Sequence, residues 1–242
     1  MTSLKVGEIW TGRVAALRPS FWMLITVAAP FTLLVDMAMS LFGPEPPRSL
    51  AAMTPQLVIL LIVIPGLIGA IAQLTVARLL TAPEVTPRAA LATTFAVYPA
   101  YLAALLLSAA PIAVAALVLS LLPTGFGLLL AIPAFYLAAR LFLIMPIAVS
   151  ERLGPVAILK RSWQLTTGCG ATIIGFLVLG MLVALGVALL AGGVGAAFGS
   201  VFKIIGLGAI GIFVSTLIKA LVSTLLSVAS AAAAAVIYLK LR

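Results

Sequence analysis

The feature that limits this chain most is a series of long apolar runs, broken only by short stretches of proline, glycine and charge. An α-helix rises about 1.5 Å per residue, so about 20 apolar residues cover the hydrocarbon of a bilayer. Length and hydropathy place spans at 21–42, 55–80, 100–122, 126–149, 171–192 and 220–238. Turn-forming segments separate them: GPEPPRS, TAPEVTP, LPTG, ERLGP and AGGVG. Only 8% of the 242 residues are charged, where a soluble domain carries about a quarter. The expected fold is all-α: a polytopic membrane protein of six transmembrane helices, forming a single integral membrane domain over 1–242.

The last apolar stretch, 202–241, is too long for one upright span. Lys219 to Lys240 covers 21 residues, read directly off the chain, or about 31 Å of helix. That matches one hydrocarbon thickness, so 202–219 is expected to lie on the surface or re-enter, with one long tilted helix as the alternative. Lys and Arg set the orientation. With the N-terminus inside, Lys5, Arg13, Arg18, Arg78, Arg88, Arg152, Lys160, Arg161, Lys240 and Arg242 fall on the inner side. Arg48, Lys203 and Lys219 fall outside, and Arg140 lies within a span. The positive-inside rule then puts both termini in the cytoplasm, with outer loops around Pro46, Pro123 and Gly193. Because the charges mark the ends of apolar runs, the net +9 reflects topology rather than a nucleic-acid partner. The first apolar run begins only at Phe21, so no cleavable signal peptide is expected. The lone cysteine, Cys169, excludes an intramolecular disulfide and reads as a small apolar residue near a helix start.

One phrase occurs twice between the apolar runs. EVTPRAAL begins at Glu84 and ERLGPVAILKRSW at Glu151, each an acid followed by Pro-x-Ala-x-Leu. Proline suits the first turn of a helix, where its missing N–H costs nothing. From Pro155 to Thr167 a helical wheel puts Val156, Leu159, Trp163 and Thr166 on one side and Lys160, Arg161 and Gln164 on the other, with Gly168 as the stop. A short helix of this kind is expected to lie in the membrane interface. Trp163 would face acyl chains, and Lys160 and Arg161 would face anionic phospholipid or an acidic partner. Glu151 would hold the helix at its N-terminal end or by pairing with Arg152 or Arg140. Leu91, Phe95 and Tyr98 suggest a second such elbow, and Val6, Ile9, Trp10, Val14 and Leu17 a third. RPSFWMLITVAAP also parallels YPAYLAALLLSAAP. The expectation is a parallel threefold repeat of elbow plus helical hairpin, over 1–82, 83–150 and 151–242.

The segment ARLFLIMPIAVSERLGPVAILKRSWQLTTG, from Ala139 to Gly168, and the ending VIYLKLR resemble a bacterial family, the glycerophosphoryl diester phosphodiesterase membrane domain and its stand-alone relatives. The matching positions are Arg140, Pro146, Glu151, Gly154, Pro155, Lys160, Arg161, Ser162, Trp163, Leu165, Thr166 and Gly168. Lys240 departs from the acidic residue usual before the family's closing basic stretch. The resemblance implies a multi-span module of a bacterial inner membrane. It does not carry over enzyme activity: the catalytic barrel to which such modules are fused needs histidine, and this chain has none.

The acids themselves, Glu8, Asp36, Glu45, Glu84 and Glu151, show no motif spacing. No catalytic dyad, metal site or cofactor is therefore expected. The main functional expectation is a non-catalytic scaffold, or a partner- or lipid-binding module, in envelope or lipid homeostasis. Its contacts would be Lys160, Arg161, Trp163 and Glu151; its partners the bilayer, a protein or a second copy. Small residues at Ser223, Ser227, Ala231 and Ala235, and at Gly195 and Gly199, suit helix packing. The alternative is a small-solute or ion transporter. Asp36 and Arg140 are charges within spans, and Pro30, Pro65, Pro111, Pro133 and Pro146 can kink helices around a pathway. Asp36 is expected to pair with Lys219 first and Arg140 second.

Overall fold

The structure, a computed structural model, describes Gly7 and residues 21–44, 47, 54–120 and 127–242. The described residues form helices and no strands. Helix α1 (Phe21–Ala28) and α2 (Leu33–Phe42) make one interrupted span; Pro30 sits in the irregular turn between them, where a ring without an N–H fits. Helix α3 runs from Pro55 to Thr81. Thr54 caps it by accepting from the Leu57 N–H at 3.3 Å, and a π-helical turn at Ile59–Val63 precedes Pro65. Next come α4 (Pro87–Ser120), α5 (Gly127–Leu141), α6 (Ile144–Glu151), α7 (Pro155–Thr166), α8 (Gly170–Ile204) and α9 (Gly208–Leu241).

Five stretches among the described residues are long and apolar enough to cross a membrane: Phe21–Phe42, Pro55–Thr81, Pro87–Pro111, Gly170–Ile204 and Gly208–Leu241. The second half of α9 is the centre of the bundle. Ala231, Ala232, Ala233, Ala234, Ala235, Ile237 and Tyr238 are all buried, and α1, α2, α3, α6 and α8 pack around that helix. Small side chains let backbones approach closely, which is how membrane helices gain packing energy without a hydrophobic drive. Polar pairs tie the layers together. The Thr32 and Thr224 hydroxyls lie 2.9 Å apart, those of Thr75 and Thr94 3.1 Å, and Tyr98 donates to the Leu67 carbonyl at 2.6 Å.

Three expectations change here. The stretch 126–149 is not one helix: it is split between α5 and α6 at Phe142 and Leu143. Pro146 has no N–H for the carbonyl of Phe142, four residues back, and its ring crowds that carbonyl. Second, the phrase at Pro87 starts no separate elbow; α4 continues through Pro99 and Pro111 for 34 residues. The lead at 1–20, where a further elbow was expected, lies outside the described residues apart from Gly7.

Third, 208–219 is not a separate segment before the last span: it is the first part of one continuous helix, as the alternative reading had it. Helices α8 and α9, 35 and 34 residues long, form one hairpin that turns at Ile205–Leu207, where Gly206 takes φ +80°. The expected loop at Gly193 lies inside α8. Gly192 and Gly193 have open space beside them, and the close approach to α9 is made at Gly195, Gly199 and Gly211. A Cβ on Gly195 would lie 3.3 Å from the Ser215 Cβ, and one on Gly211 2.8 Å from the Phe202 Cβ and 3.1 Å from the Gly199 Cα.

Candidate functional site at the polar end of the bundle

The candidate site gathers where α6 and α9 end and where α7 packs against α4, α5, α6 and α9. Helix α7 begins at Pro155 and is followed by Gly168 at φ +85°, so a local start and a local stop bound it. Its inward line is Ile158, Ser162 and Thr166, all fully buried. That line is rotated from the expected one, which had grouped Thr166 with Val156 and Trp163; both of these are exposed, at 57% and 43%. Lys160 is exposed as well, while Arg161 is half-buried.

Glu151 and Arg161 are joined. The Arg161 Nε lies 3.2 Å from each carboxylate oxygen, and the Tyr238 hydroxyl donates to Oε1 at 3.0 Å. The expected partners of Glu151, Arg152 and Arg140, have other roles. Arg152 takes a left-handed conformation, φ 49°, that ends α6. Arg140 donates through Nε and Nη2 to the Tyr136 hydroxyl at 3.0 and 2.8 Å. Its Cζ lies 5.0 Å from the centre of the Trp163 ring, and that ring meets Tyr136 edge to face at 6.0 Å. A guanidinium against an indole face gains cation–π attraction. The Arg140 Nη1 is buried with no hydrogen-bond partner among the described residues. Its backbone carbonyl accepts from the Ser162 hydroxyl at 2.7 Å, which fixes α7 against α5.

The neighbouring seam is held by Arg78, whose Nη1 donates to the Val149 carbonyl at 3.2 Å, and by Ser150, which donates to Thr81 at 3.2 Å. Sequence reasoning did not assign Tyr136, Tyr238, Ser162 or Arg78 to this cluster. Only Tyr136 left a readable trace, four residues before Arg140 and so on the same helix face. The rest depend on which helices meet. Glu151, Arg161, Trp163 and Arg140 are thus brought together, with Lys160 at the edge. Asp36 and Lys219 are elsewhere and do not pair. Asp36 is half-buried on α2, and among the described residues its carboxylate has no ion-pair or hydrogen-bond partner. It lies one turn beyond Thr32, level with Ala220, but Lys219 points to an exposed groove with Lys203.

Chemically, the arrangement is a clamp. Both Glu151 oxygens and the Tyr238 and Ser162 hydroxyls are engaged in holding helices together, and the exposed side chains include Arg152, Val156, Lys160, Trp163 and Gln164. Compared with protein-family models, curated proteins and solved structures, the chain matches none.

Proposed function

We propose that this chain is a non-catalytic membrane module that binds anionic lipid, or a partner carrying similar charge, through the outward face of α7. The observation that carries this reading is the contrast across that helix: the inner face is bolted to the bundle by Glu151–Arg161 and Ser162–Arg140, while Lys160 and the Trp163 edge remain exposed. Twelve residues are too few to cross a bilayer, and an aromatic beside a lysine suits the interface between acyl chains and headgroups. In this reading α7 is the interfacial elbow, α5 and α6 together make the sixth crossing, and the hairpins form a parallel repeat. The chain sits in a bacterial inner membrane with both termini in the cytoplasm, as a stand-alone relative of the glycerophosphoryl diester phosphodiesterase membrane domain.

Lys160→Glu changes the surface charge by two units, and each unit near an anionic surface is worth about 1 kcal/mol. The affinity for anionic lipid, read by native mass spectrometry of the lipid retained through gentle extraction, should fall by about thirtyfold. Unchanged retention would leave α7 as a structural brace only. Orientation is tested by Arg88→Cys, which an impermeant thiol reagent should label only after the cells are opened.

A second reading, passage of a small solute, is favoured by one observation: the chain breaks its helix at Phe142 inside the bundle. Discontinuous helices line cavities in transporters.

A further inference from the structure

The break at Phe142 and Leu143 leaves space in the bundle. A cavity of about 370 Å³, open on the side where Leu105, Ala109, Ala138 and Ser230 are exposed, is lined by residues of α3, α4, α5, α6 and α9, among them Gln73, Tyr101, Ser108, Phe142 and Ser230. A second, of about 280 Å³, lies between α8 and α9, and Phe142 and Ser230 line both. The Phe142 ring rests edge to face on Phe176 at 6.4 Å and so stands at the divide. Pockets for small molecules start at about 300 Å³.

The polar groups in the larger cavity are unusually available. Tyr101 is only 6% exposed, yet among the described residues its hydroxyl has no hydrogen-bond partner. Among the described residues the fully buried side-chain atoms without a partner are the Arg78 Nε and the Arg140 Nη1, so the Tyr101 hydroxyl is open to whatever fills the cavity. Gln73 donates its amide N–H to the Ser227 hydroxyl at 3.2 Å and keeps its carbonyl oxygen. Ser108 and Ser230 donate to the Leu105 and Ser227 carbonyls at 2.7 and 2.8 Å, which leaves their lone pairs to accept. Among the described residues no Asp, Glu, Lys or Arg lines either cavity. An ion entering would lose its water and find no opposite charge. A neutral molecule would find the Tyr101 hydroxyl and the second Gln73 amide N–H as donors, several acceptors and apolar walls for a carbon skeleton.

We propose that this cavity binds a small uncharged molecule bearing several hydroxyl groups, with Tyr101 donating to one of them and Gln73, Ser108 and Ser230 accepting from others. The proposal deepens the solute-passage reading, but binding stands whether or not the solute crosses.

The test uses the full chain in lipid nanodiscs, with Cys169→Ala and a reporter thiol, Ala138→Cys, on the cavity wall. Erythritol is the probe, tetramethylammonium the charged control and methyl methanethiosulfonate the thiol reagent. Erythritol should slow labelling several-fold and tetramethylammonium should not. Tyr101→Phe should raise the erythritol concentration needed by about fivefold, with thermal stability unchanged because the hydroxyl has no protein partner to lose. Ala109→Cys, also on the wall, replaces the reporter if Ala138→Cys does not fold. No slowing by erythritol, equal slowing by the cation, or indifference to Tyr101→Phe would each mean that the cavity holds water only. Swelling of proteoliposomes in erythritol separates the two claims: protection without faster swelling keeps the site and removes passage.

Discussion

From Pro87 and from Pro155 the chain buries the same positions. The fourth residue is fully buried in each (Ala90, Ile158), as is the eighth (Thr94, Ser162), and the ninth is an exposed aromatic (Phe95, Trp163). The fifth, Leu91 or Leu159, is half-buried in both. Both buried hydroxyls reach a neighbouring helix, Thr94 toward Thr75 and Ser162 to the Arg140 carbonyl. After ten residues the likeness ends: the eleventh is buried in one helix (Val97) and the twelfth in the other (Thr166). Helix α7 stops before Gly168, whereas α4 meets no glycine and runs on through two prolines. The acids differ too: Glu151 is clamped by Arg161 and Tyr238, while Glu84 makes no ion pair among the described residues. The seventh position explains this. It is Arg161 in one helix and Thr93 in the other, and the Thr93 hydroxyl only donates back to the Ala89 carbonyl at 2.9 Å. The phrase thus encodes a helix start and an inward face; the stop and the anchor come from residues outside the shared pattern.

Five substitutions, read by thermal or chemical unfolding in detergent, probe this contrast. The largest effect should come from Glu151→Ala, which strands the half-buried Arg161 and the Tyr238 hydroxyl. Charge-assisted hydrogen bonds of this kind are worth about 1.5–3 kcal/mol, so a loss of about 2 kcal/mol is expected. A wild-type midpoint would show that Arg161 is solvated and the clamp is not structural. Gly168→Ala should follow. An alanine held at a left-handed φ costs about 1–2 kcal/mol, and if α7 instead lengthened into α8 without loss, the stop would lie elsewhere.

Thr94→Ala and Ser162→Ala should cost about 1 kcal/mol each. Equal losses would sharpen the equivalence of the two starts, and a large inequality would break it. The smallest effect belongs to Glu84→Ala, expected within about 0.5 kcal/mol as at other surface sites. A cost matching that of Glu151→Ala would mean that Glu84 has an anchor too.

Where a rule acts along a few residues, the sequence was a good guide. Pro155 starts its helix and Gly168 closes it, as the pattern indicated. Glycine misled at 192–199, because glycine serves a turn and a close helix crossing alike; Gly195 and Gly199 face α9, while Gly192 and Gly193 have open space. Only the partner, here Ser215 and Gly211, distinguishes the two. Pro146 was legible as a kink residue, but nothing local told it from Pro99 or Pro111, which their helices absorb. The anchor of Glu151 was misread for a related reason. Arg152 and Arg140 were weighed as the nearby bases, but the chain folds back so that Arg161 and Tyr238 arrive instead.

The sequence by itself determined the class of this protein: an all-helical chain built of runs apolar enough to cross a membrane, with helix starts written as proline after a cap. Those features follow from hydropathy, length and backbone chemistry, which act within a single segment. The tertiary structure alone decided that α8 and α9 form one unbroken hairpin, that the helix before Glu151 breaks at Phe142, and that among the described residues Asp36 has no partner while Glu151 is held twice. Each of these depends on distances between segments far apart in the chain, and an ion pair or a glycine crossing exists only where two helices have already met.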